Sequence, residues 1–254
     1  MQKFQNWIEK TFFKEKSSGW SKWLTYMIIN VILMIFIFYI FLNTIAYSWT
    51  GSIYPVWEGN RLDFLGDNLI PFIPEFSIIY VYIFYTTVIS SMAYFGIFVS
   101  EKGYALGWSL VIINAISIVI YIFFPVSTYW WRLELWLNQW AYQNIWAGTM
   151  FEYYLIDTSF NCIPSLHASV SVIIFYAWYR YSKIELDHPQ APNKLIRKVL
   201  AIITCVIAAA VVLSTLFVKQ HYILDEIAGV LLAWGVGKLI FDHLWKDFET
   251  ITPN

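Results

Sequence analysis

Apolar stretches of about 20 residues recur along this chain, and that is the length a helix needs to cross the hydrocarbon core of a bilayer. Hydropathy places six of them, over 24–47, 76–99, 104–124, 166–181, 199–218 and 222–244. Composition points the same way: 59% of the 254 residues are hydrophobic and 13% are charged, whereas a soluble domain keeps roughly a quarter charged. The expected fold class is all-α, a polytopic membrane protein of six transmembrane helices forming one domain over 1–254. The first stretch is too long for a signal-peptide core and has no small-residue cleavage site after it, so it is expected to stay as an anchor. A net charge of −1 speaks against a nucleic-acid partner. Two cysteines, Cys162 and Cys205, are too few for a disulfide framework.

With six spans, both termini lie on one side. That side collects all of the 16 Lys and Arg residues except Arg61, Arg132 and Lys219. Because basic residues stay cytoplasmic, both termini are expected inside, with three loops facing out from the plasma membrane. The inner connections are short and basic, and 182–198 reads as turns. The outer segments are longer. The first, 49–75, carries Pro55, Pro71 and Pro74 with Asp63 and Asp67, and the second, 125–163, holds Trp130, Trp131, Trp136, Trp140 and Trp146. Trp136 and Trp140 are one helical turn apart, which predicts a helix lying in the interface, either as an aromatic belt or as a lid over a lipid-binding mouth. Phe4, Ile8 and Phe12 predict a similar amphipathic helix within 1–22 on the inner side.

Two of the four histidines then stand out. His167 follows Pro164-Ser165-Leu166, and His221 precedes Tyr222-Ile223-Leu224-Asp225. On the six-span topology Ser165, His167, Ser214, His221 and Asp225 all fall at the outer ends of three successive helices, while His188 and His243 fall on the opposite side. Ionisable groups at such places are functional candidates because burial penalises their charge. The i, i+4 spacing of His221 and Asp225 lets them touch. An Asp on one imidazole nitrogen fixes the tautomer, frees the other nitrogen as a nucleophile and stabilises the cation formed on attack. Ser165 marks a helix N-terminus, where free N–H groups favour an anion. His167, beside it, is placed to give a proton to a departing oxygen. Together these describe phosphoryl transfer through a phosphohistidine, with no metal and no cofactor required.

At these residues the chain resembles the type-2 phosphatidic acid phosphatase superfamily, the lipid phosphate phosphatases. The family signature Pro-Ser-Gly-His is matched by Pro164-Ser165-Leu166-His167, with Leu in place of Gly. The signature Ser-Arg-x5-His-x3-Asp is matched by Ser214-Thr215-x5-His221-x3-Asp225, with Thr in place of Arg. Of Lys-x6-Arg-Pro, Pro125-x6-Arg132-Leu133 keeps only the Arg. The resemblance implies His221 as nucleophile, Asp225 as its partner and His167 as general acid. It implies Arg132, Ser165 and Ser214 as phosphate ligands. Two cations that the family aims at phosphate are absent, at Pro125 and Thr215, and Lys219 is the candidate replacement unless it snorkels to headgroups. Ser165-Leu166-His167-Ala168-Ser169, with His221-Tyr222-x2-Asp225-x2-Ala228-Gly229, resembles the branch of inositol phosphorylceramide synthases.

The leading expectation is a metal-independent phosphatase of lipid phosphomonoesters or diphosphates, such as phosphatidate or a polyprenyl diphosphate. Its partners would be that lipid substrate and the surrounding membrane lipids. The alternatives are a headgroup phosphotransferase, with an alcohol or lipid acceptor at the same site, and a non-enzymatic anion-binding membrane protein.

Overall fold

The computed structural model describes residues 24, 28, 66–157, 159, 161–183 and 194–244. The expected first span, the amphipathic 1–22 segment, most of the inner 182–198 connection and the part of the first outer segment with Pro55 and Asp63 lie outside the described residues. Among the described residues seven α-helices follow in order: α1 Phe84–Phe98, α2 Ser100–Phe123, α3 Tyr129–Leu137, α4 Ile145–Ile156, α5 Leu166–Lys183, α6 Lys194–Phe217 and α7 Ile223–Leu244. There is no strand among the described residues, only an isolated bridge from Val126 to Asn161. Among the described residues three stretches are long and apolar enough to cross a membrane: Pro74–Gly96, Ala105–Phe123 and Lys194–Phe217. The first enters α1 through a π-helical segment, Ile78–Ile83. The expected fourth and sixth spans are also continuous helices, α5 and α7, of 18 and 22 residues. Helix α5 carries His167 and α7 carries Asp225 and Glu226, while His221, expected on the same helix as Asp225, lies in the turn just before α7.

Helix α5 is the hub, packed against α2, α6 and α7. Its contact with α7 is made by small residues. Gly229, Ala233 and Gly237 recur every fourth residue and so lie along one face of α7. A Cβ on Gly229 would stand 2.5 Å from the Ser165 carbonyl, and one on Gly237 would stand 3.0 Å from Ile173 Cδ1. Membrane helices associate this way because lipid supplies no hydrophobic drive between them, so close backbone approach must supply the contact. Ser169 Oγ adds a hydrogen bond to the Gly229 carbonyl at 3.0 Å.

The ends of α5 are also specified. Ser165 Oγ accepts from Ala168 N at 3.2 Å, the N-cap bond expected of Ser at that position. Arg180 and Lys183 occupy the last turn, where cations suit the helix dipole. Arg197 of α6 reaches over to donate to the Tyr181 carbonyl at 2.9 Å. Further along the bundle, Trp178 of α5 stacks with Tyr94 and Phe95 of α1, and its Nε1–H donates to Ser91 Oγ at 3.1 Å.

The second outer segment corrects one expectation. It is not a loop but two helices, α3 and α4, and Trp136 and Trp140 do not share a helix. Helix α3 stops at Leu137, Gln139 takes the left-handed conformation at φ 55°, and Trp140–Tyr142 starts a separate 3-10 turn. The helix is broken at Gln139, so the helical spacing read across it does not hold. Trp136 is exposed, whereas Trp140 packs edge-on against Phe72 at 5.3 Å.

Candidate active site

The turn between α6 and α7 positions the second histidine. Lys219 N donates to Leu216 O at 3.1 Å and Gln220 N donates to Thr215 O at 2.9 Å. This is the Schellman pairing, in which the left-handed residue is usually Gly. Here it is Lys219, at φ 55°. A side chain in that conformation carries a penalty of about 1–2 kcal/mol, and the contacts of Lys219 offset it. Its Nζ donates to the Asp67 carbonyl at 2.9 Å and lies 4.5 Å above the Trp131 ring. Lys219 is therefore turned into the protein rather than towards headgroups. Burial lowers its pKa, against the opposing charges of Asp67 and Glu134.

Past this turn, two carboxylates organise the start of α7. Asp67 Oδ1 accepts from Ile223 N at 2.8 Å, and Asp225 Oδ2 accepts from Tyr222 N at 2.9 Å. The second bond holds Asp225 facing His221, whose Nδ1 lies 3.5 Å from the same oxygen. That separation is at the long limit for a hydrogen bond, and Nδ1 has no closer partner among the described residues. Burial opposes a charge on His221. The contact with Asp225 and the charges of Glu226, Asp225 and Asp157 outweigh it, so the pKa of His221 rises above the ordinary histidine value.

His167 is the second residue of α5. Its ring packs at a tilt against Tyr80 and Phe84, with centroids 4.4 and 4.6 Å away, and its Nε2 has no hydrogen-bond partner among the described residues. The two imidazole centroids are 5.9 Å apart. The acid and nucleophile candidates, 54 positions apart in the chain, thus face each other across the α5–α7 contact, with Asp225 behind one of them.

The phosphate-ligand candidates divide. Arg132 reaches the same region from α3 and donates to the carbonyls of Tyr154 at 3.3 Å and Asp157 at 2.6 Å and to Gln220 Oε1 at 2.8 Å. Gln220 immediately precedes His221, so Arg132 is fastened beside the nucleophile candidate. Ser165 is at the right helix end, but its hydroxyl serves as the cap of α5. Ser214 is fully buried and donates to Val211 O at 2.7 Å on its own helix. Thr215, at the position of the missing family Arg, donates to Glu226 Oε1 at 2.8 Å.

A hub that the motifs did not indicate is Asp157, just past the end of α4. It accepts from Tyr80 at 3.1 Å, from Asn161 at 2.9 Å and from Gln220 at 2.5 Å. Tyr80 in turn stacks on His167. Asp157 therefore ties the aromatic pocket of one histidine to the turn that carries the other. Glu226 is buried with Oε2 unpartnered among the described residues. An acid directly after the motif Asp, inside an apolar run, was a visible signal for it. Asp157 gave none.

The family model of the PAP2 superfamily matches residues 108–249, more than half of the chain. The chain belongs to the PAP2 superfamily. The match spans α2 through α7 and takes in Arg132, His167, His221 and Asp225. PAP2 proteins are phosphatases and related phosphotransferases, so membership fits a phosphate-bearing substrate for this chain. Neither the curated proteins nor the solved structures give a match to it.

Proposed function

We propose that this PAP2 protein is a lipid phosphatase that hydrolyses a phosphomonoester or diphosphate lipid through a phosphohistidine. The observation that carries the reading is the pair of buried imidazoles 5.9 Å apart, one with a carboxylate at its Nδ1 and the other with a free Nε2. His221 attacks phosphorus and forms the P–N bond as the P–O bond to the lipid breaks. His167 protonates the departing lipid oxygen, then takes a proton from the water that cleaves the P–N bond and releases phosphate. Asp225 orients His221 and stabilises its cationic phosphorylated form. Arg132 is the guanidinium for the phosphate oxygens, assisted by the α5 N-terminus at Ser165. Ser214 and Lys219 complete the proposed shell once substrate competes for their present partners. The chain is read as six spans with both termini cytoplasmic and the site opening to the extracytoplasmic side of the plasma membrane, supported by its Lys and Arg distribution.

The test is phosphate release from lipid phosphates by the detergent-purified chain and by His221→Ala. A variant that keeps wild-type rates sinks the mechanism.

One observation favours a second reading. Thr215 meets the carboxylate of Glu226 where the family places a phosphate-binding cation, and the motifs resemble a transferase branch. In that case an alcohol, not water, resolves the phospho-enzyme. A new phosphodiester lipid formed when diacylglycerol or inositol is supplied would favour this reading, and phosphate as sole product would exclude it.

A further inference from the structure

One cluster beside the nucleophile candidate has no role in the scheme above. Cys162, between α4 and α5, is fully buried and packs with Val126, Trp131 and Tyr222. Its sulfur, an imidazole nitrogen of His221 and a carboxylate oxygen of Asp225 all lie within 4.8 Å of one another. Asp225 Oδ1 has no hydrogen-bond partner among the described residues, and His221 Nδ1 has only the long 3.5 Å contact to Asp225 Oδ2, although both residues are at least 97% buried. Buried polar atoms are nearly always partnered, and each exception calls for a cause. The surrounding charge is also negative, since Asp225, Glu226 and Asp157 all act on His221.

We propose that Cys162, His221 and Asp225 form a binding site for a thiophilic divalent cation of the zinc class, and that its occupancy switches the phosphotransfer site off. One sulfur, one nitrogen and one carboxylate oxygen are the donors zinc selects. Bonds of about 2.3 Å to sulfur and about 2.0–2.1 Å to nitrogen and oxygen put tetrahedral ligands roughly 3.5 Å apart. Side-chain rotation of Cys162 and Asp225 by about 1 Å closes the present spacing. Ligation deprotonates the thiol and gives the buried imidazole and carboxylate a shared partner. The fourth position stays open to water or to a substrate oxygen. Inhibition follows because the cation takes Asp225 away from its orienting role and withdraws electron density from the imidazole that must attack phosphorus.

The inhibitory half rests on the phosphatase reading, whereas binding does not. The experiment therefore reads them separately, in the full-length purified chain carrying Cys205→Ala, which removes the exposed second thiol. Titration with cadmium chloride, followed by cadmium–thiolate ultraviolet absorption, is expected to give one site per chain and no band in Cys162→Ser. Zinc chloride is expected to inhibit phosphate release reversibly, chelator restoring it, with potency about tenfold or more weaker in Cys162→Ser. No band in the parent, or an equal band in Cys162→Ser, overturns the site. Equal zinc inhibition in the two overturns the switch. Should Cys162→Ser fail to fold by size exclusion, the parent is compared with His221→Ala and Asp225→Asn: a cadmium affinity lower by about tenfold supports the site, and an unchanged affinity overturns it. An inactive chain that still shows the band contradicts the phosphatase reading and leaves the metal site standing.

Discussion

The two histidines face each other, yet they are held by opposite means. His167 is held by aromatic rings, those of Tyr80 and Phe84. His221 is gripped by charge, with Asp225 at its Nδ1 and the fields of Glu226 and Asp157 behind it. Aromatic packing fixes the plane of a ring without committing its nitrogens. A carboxylate commits one nitrogen and accommodates a positive charge on the ring. The first arrangement suits a group that must hand a proton in either direction. The second suits one that becomes a cation when it bonds to phosphorus.

That contrast can be broken by substitution. The largest effect is expected for His221→Ala, which should lower turnover by roughly 10⁶-fold if the ring is the nucleophile. Single-turnover phosphate release would measure it, and a loss below tenfold would end the covalent scheme. His167→Gln should cost roughly 10²- to 10⁴-fold with a lipid alkoxide leaving group. With an aryl phosphate, whose leaving group needs no proton, the loss should shrink sharply; equal losses on both substrates would show that His167 is not the acid. Asp225→Asn falls in a similar range, roughly 10²- to 10⁴-fold, and carries its own pH signature. As the proposed nucleophile His221 would attack only when unprotonated, so its raised pKa is expected to put the acid limb of kcat/KM above the ordinary histidine value. Removing the carboxylate removes part of that rise, and the limb should move to lower pH. Tyr80→Phe is the smallest. It keeps the ring on His167 but deletes the bond to Asp157, a loss of about 1 kcal/mol or about fivefold in rate. It should leave the acid limb in place.

Local relationships in this chain were legible in its sequence. The helices at 104–124, 199–218 and 222–244 begin and end within a few residues of α2, α6 and α7, because apolar length alone defines them. The His221–Asp225 contact was expected from a shared helix, but His221 lies in the turn before α7, and Asp225 faces it because its carboxylate accepts from Tyr222 N. The Ser165 cap needs only a Pro-Ser before an apolar run. What could not be read was convergence. Asp157 gathers Tyr80 from 77 positions upstream and Gln220 from 63 downstream, and no periodicity encodes that meeting. The Trp136–Trp140 spacing misled for a local reason: Gln139 adopts a left-handed backbone without being a glycine or an asparagine. Lys219 does the same at the end of α6, with its cost hidden in contacts to Asp67 and Trp131.

The close approach at Gly229 has a mechanical meaning. Because the backbone of α7 touches the Ser165 carbonyl with no room for a methyl group, the helix bearing His167 and the helix that follows His221 cannot hinge apart without breaking their tightest seam. On the proposed mechanism the two histidines then form a fixed anvil, and the room a substrate needs has to come from the side chains around it, such as those of Tyr80, Met150 and Tyr153, which pack together beside the site.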